Sequence, residues 1–151
     1  MKIEKQVASK QDALELQKLG IDFGDTAFVW IKYKSSHNEN IRHILMLNED
    51  DLQTSFSKNV VCVFDKCKIL ETIPAPTVPE MIDRLPCTIE KDGVELHLTI
   101  IKITGDYFID YTNNSEGGCS WLFDDDDAMS DKLLSKALTK LLIWCAEEGY
   151  L

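Results

Sequence analysis

Positive charge is scarce in this sequence. Of 151 residues, 16 are Lys or Arg against 26 Asp or Glu, a formal net charge of −10. A chain this acidic is not expected to hold duplex nucleic acid through a basic face, and no local basic patch reverses that reading. Long apolar runs are missing as well. None approaches the roughly 18 residues of a membrane span, so no membrane partner is expected. The opening MKIEKQVASKQD lacks the apolar stretch of a secretory signal. The five cysteines are an odd number, which without an export signal predicts reduced thiols rather than a disulfide framework. There is no internal repeat and no low-complexity linker. What remains is one domain's length of chain, 44% hydrophobic and 28% charged, expected to be soluble and cytoplasmic.

The charge is unevenly placed. Residues 1–75 hold 10 basic and 11 acidic side chains, whereas 76–151 hold 6 and 15. From Asp106 to Asp131 there are eight acids and no Lys or Arg. Such asymmetry sets the sign of a partner rather than the fold, and favours a basic one.

Local patterns predict the elements. Ser9 before Lys10-Gln11-Asp12 has the spacing of a helix start, Ala13, Leu16 and Leu19 share a face, and Gly20 offers the left-handed stop. AFVWIKYK (27–34) and IRHILML (41–47) read as strands joined by a longer hairpin loop. Residues 50–57 read as a helical turn or loop, and 59–64 and 68–73 as strands around Asp65-Lys66. Pro74-Ala75-Pro76 punctuates the chain and would be the joint between two subdomains, 1–73 and 74–151, if the domain divides. Thr77 and Glu80 then form a capping box over a helix with Val78, Met81, Ile82 and Leu85 inward, stopped by Pro86. A meander follows: 87–91, a turn at Asp92-Gly93, Val94–Ile103, a turn at Gly105-Asp106 and Tyr107–Thr112. In its long strand the outer face is expected to become buried towards Ile103. NNSEGGCS (113–120) reads as a flexible loop, and a long helix as running from about Asp127 to Glu147 on Leu134, Ala137, Leu138, Leu141, Leu142 and Cys145. Hairpins instead of crossovers predict an α+β fold, with antiparallel hairpins packed against two or three helices.

The chemistry-bearing residues form no recognisable centre. Asp124, Asp125, Asp126 and Asp127 fail as a calcium loop because DDDDAMSDKLLS lacks glycine at position six and glutamate at twelve. They read instead as caps of the final helix or as a binding surface. No cysteine pair has the two-residue gap of a zinc ribbon, and His37, His43 and His97 are scattered, so no metal is expected. Cys62, Cys87 and Cys145 read as small buried hydrophobes. Cys67, between Lys66 and Lys68, is the one thiol with a suggestive neighbourhood, while the acidic loop around Cys119 would raise its pKa. Neither is coupled to a base. Gly117-Gly118 makes no phosphate cradle, and no cofactor is expected. Trp30 and Trp144 fit core faces, which leaves Trp121 as the exposed aromatic anchor.

Four segments, KQVASKQDALELQKLGI (5–21), FVWIKYK (28–34), APTVPEMIDRLP (75–86) and ALTKLLIWCAEEGYL (137–151), occur in this order in a recurring type of small protein. The chain resembles the conserved hypothetical proteins of bacteriophages and prophages of Bacteroidetes-like gut bacteria. These motifs are helix faces and caps, so the resemblance implies a shared fold and a phage origin, with no activity or catalytic residue. Against that type, 48–73 reads as an insertion. The expectation is therefore an accessory protein that binds a basic host or phage protein through Trp121 and Asp124–Asp127. The alternatives are a small hydrolase-type enzyme with a cysteine, histidine or carboxylate site, and a homodimer through the exposed face of the meander.

Overall fold

In a computed structural model, residues 3–34, 41–48, 68–115, 118–123 and 129–151 are described. The class is α+β, with three α-helices and two antiparallel sheets among the described residues. After a 3-10 turn at Ile3–Lys5 come α1 (Lys10–Lys18), β1 (Phe28–Lys34), β2 (Ile41–Leu47) and β3 (Lys68–Pro74). Next are α2 (Val78–Arg84), β4 (Thr88–Lys91), β5 (Val94–Ile103), β6 (Asp106–Ser115), β7 (Gly118–Trp121), β8 (Met129–Asp131) and α3 (Leu134–Glu147). No helix among the described residues is long and apolar enough to cross a membrane.

The caps are those the sequence announces. Ser9 accepts the Asp12 amide, and α1 ends with Gly20 at φ +74° while the amides of Gly20 and Ile21 return to Gln17 and Leu16. That paired closure folds Ile21 back onto Leu16, and both are buried. At α2 the capping box is complete, with the Thr77 amide donating to Glu80 at 2.6 Å and the Glu80 amide to Thr77 Oγ1 at 3.4 Å. The second Glu80 oxygen accepts the Ala27 amide at 2.9 Å, which ties the helix to the entrance of β1.

β1 is the middle strand of a sheet ordered β2-β1-β3, and its two faces serve different cores. Val29 and Ile31 pack with Tyr33, Ile44, Met46 and Ile69. Trp30 turns the other way, packs on the principal core and donates its indole N–H to Ala8 O at 3.1 Å. The prolines carry the chain between sheets: the Ala75 amide donates to Phe28 O, the Ala8 amide to Pro76 O and the Val78 amide to Gln6 O. The principal core joins Leu16 and Ile73 to Met81, Ile89, Leu96, Ile109 and Tyr111, and α3 adds Leu138, Leu141 and Leu142. α3 touches β6, β8, α1 and α2, so it is the element around which the others assemble.

Several details depart from the sequence reading. α3 starts at Leu134, seven residues past Asp127, and the chain just before it forms β8. Its N-cap is Leu133, with no side-chain cap and no acid in the first turn. The N-cap position expected near Asp127 falls on Leu133, and Asp124–Asp127 themselves lie outside the described residues. NNSEGGCS is mostly strand, since Asn113, Asn114 and Ser115 pair with Ser120, Cys119 and Gly118. The turn between β5 and β6 lies at Thr104-Gly105, both at positive φ, one residue before its expected place. Ile103 is 49% exposed, so the outer face of β5 does not become buried at that end. Cys87 is exposed rather than buried. The expected turn at 50–57, the strand at 59–64, the turn at Asp65-Lys66, and Cys62, Cys67 and His37 lie outside the described residues.

Candidate functional site

β6 is the long central strand of the second sheet, and its free edge is shared by two short strands. β7 covers one half, ending on the pair Thr112–Trp121, and β8 covers the other, beginning on the pair Ile109–Met129. Asp110 and Tyr111 sit between them, opposed by neither. This gap is filled by local hydrogen bonds. The Leu122 amide donates to Tyr111 O at 3.0 Å. The carboxylate of Asp110 accepts the Tyr111 amide at 2.6 Å and the Phe123 amide at 3.3 Å. Without this carboxylate those donors would lack the acceptors that a continuous ladder supplies.

Asp110 is 4% exposed, and burial raises its pKa above the ordinary carboxylate value. The amides of Phe123, Tyr111 and Leu122 oppose the shift without cancelling it. On the other face of β6, Tyr111 is fully buried in the core and its hydroxyl donates to Pro86 O at 2.8 Å. Cys145 Sγ lies 3.8 Å from that hydroxyl, and burial pushes its pKa up to about 11. Burial first, then Cys145, raises Tyr111 as well. A thiol so raised is a poor nucleophile, and its neighbour is a phenol rather than a base.

The consequence for the acidic segment follows from its ends. Phe123 is fastened to Asp110, and Met129 pairs with Ile109. The chain between them therefore leaves and rejoins the sheet at adjacent residues of one strand. Beside the exit, Phe123 meets Trp144 edge-on with ring centroids 5.0 Å apart, and Trp144 stacks on Tyr150 at 5.3 Å. Lys91 Nζ lies 5.8 Å from the Trp144 centroid. Asp124, Asp125, Asp126 and Asp127 lie outside the described residues. Trp121 is placed as the last residue of β7, while its side chain also lies outside them.

Other candidates are dispersed. His43 is exposed on β2, its pKa lowered by burial and then by Lys10 and Lys32. His97 points outward from β5, 3.5 Å from Glu95. Among the described residues no group of three metal-ligating side chains converges. Asp110 escapes the sequence reading, although an aspartate inside the strand pattern Phe108-Ile109-Asp110-Tyr111 is an anomaly that asks for buried donors. Compared with known proteins, the chain is matched by no family model, no curated protein and no solved structure.

Proposed function

We propose that the protein works by binding another protein, through the acidic segment carried at the edge of the five-stranded sheet. Trp121 and Asp124–Asp127 are its contact residues. The supporting observation is the double anchorage of that segment on Ile109 and Asp110. Short, pinned ends lower the ordering cost of a loop on association. Four consecutive carboxylates attract a basic surface and accelerate encounter. The setting we propose with it is that of a phage- or prophage-derived accessory protein in the bacterial cytoplasm, directed at a basic host or phage protein.

The test is capture from bacterial lysate with the tagged protein and its Asp124→Asn/Asp125→Asn/Asp126→Asn/Asp127→Asn variant. At low salt the wild type retains a basic protein that the variant loses, and moderate salt releases it. Identical sets of captured proteins from both would contradict the proposal.

A further inference from the structure

A groove of about 500 Å³ opens where the start of β6 meets the approach to α3. In a chain with ten surplus negative charges its lining, among the described residues, holds Lys5, Lys102 and Lys132 and no acid. Among the described residues none of the three lysines forms an ion pair. Lys102 is held over the ring of Tyr107, its Nζ 4.8 Å from the centroid. Asp131, next to Lys132 in the chain, is engaged elsewhere: it accepts the Leu133 amide at 3.0 Å and lies 3.7 Å from Lys140 Nζ. The start of α3 borders the groove through Leu133 and Leu134. Val78, Pro79, Leu133 and Leu134 give it an apolar wall.

We infer that this groove binds an organic phosphate of about nucleotide size, separately from the acidic segment. Three cations from distant parts of the chain, none of them in an ion pair among the described residues, suit a phosphate group. The apolar wall and the Tyr107 ring suit the body that carries it, and the volume lies within the range of small-molecule sites.

The direct test is calorimetric titration at low ionic strength with AMP and phenyl phosphate, using inorganic phosphate and adenosine as controls. AMP and phenyl phosphate are expected to bind with dissociation constants below about 1 mM, roughly tenfold tighter than either control. Lys102→Ala/Lys132→Ala removes exposed side chains and leaves the melting temperature unchanged, yet weakens AMP at least about tenfold. Lys102→Arg/Lys132→Arg keeps the charge and retains binding. Silence of both organic phosphates, equal affinity for inorganic phosphate, or wild-type affinity in the alanine variant would each overturn the inference.

Discussion

At Asp110 a single carboxylate replaces the carbonyl that a neighbouring strand would have offered. Its burial opposes ionisation, so its native pKa lies above its unfolded value. Such a group stabilises the fold fully below the unfolded pKa, and that contribution falls as pH rises through the native one. Asp110→Ala should thus cost about 1–3 kcal/mol by stranding two amides, and the cost should be greater near pH 4 than near pH 7. Urea denaturation of both proteins at the two pH values checks this, and a cost that grows with pH would contradict it. The cysteines give a second residue-scale prediction. With native protein at about pH 8, iodoacetamide should label exposed Cys87 and spare Cys145, whose thiol is buried and raised to about 11. Peptide mass spectrometry reads the ratio. Cys87 was misplaced by sequence reasoning because its apolar neighbours Leu85 and Ile89 are indeed buried, while the chain turns its side chain outward between them.

Elements were legible where their signals are local. Ser9, Gly20, Thr77 and Glu80 announce helix ends through bonds spanning three to five residues, and each bond is present. β1, β2 and the strand after Lys68 were legible from their β-branched and aromatic residues. α3 was misjudged at its start because Leu133 carries no capping side chain and the strand before it exists only by pairing with β6. The polar run 113–120 hides a hairpin for the same reason, since its partner is supplied by the other half of the run. Two predictions belong here. Glu80 satisfies its own helix and the Ala27 amide, so Glu80→Ala should destabilise by about 2 kcal/mol, more than an ordinary cap loss of about 1. Thr104 adopts φ +50° in the β5–β6 turn, a conformation that a β-branched residue resists. Thr104→Asn should stabilise by about 0.5–1 kcal/mol without moving the register. Thermal or urea unfolding decides both, and a destabilising Thr104→Asn would show that the threonine side chain has a role in the turn.

On the scale of the whole molecule, two features carry the account, the acidic run and the lysine-lined groove. The acid-rich second half was evident from residue counts alone, because runs such as 124–127 are contiguous. The lysine groove was not, since Lys5, Lys102 and Lys132 meet only after the N-terminal segment pairs with residues 76–78 and β8 pairs with β6. Nor could a sequence show that the acidic segment begins and ends on neighbouring residues of one strand. That closure links fold to proposed function: the sheet edge holds the segment, and α3 with the aromatic group around Trp144 backs its exit. Hydrogen exchange on the protein alone and with its captured partner tests this most directly. Peptides covering 118–131 should be slowed by the partner while those of β2 and β3 are unchanged. Protection confined to the three-stranded sheet, with 118–131 unaffected, would contradict an acidic sheet edge as the contact surface.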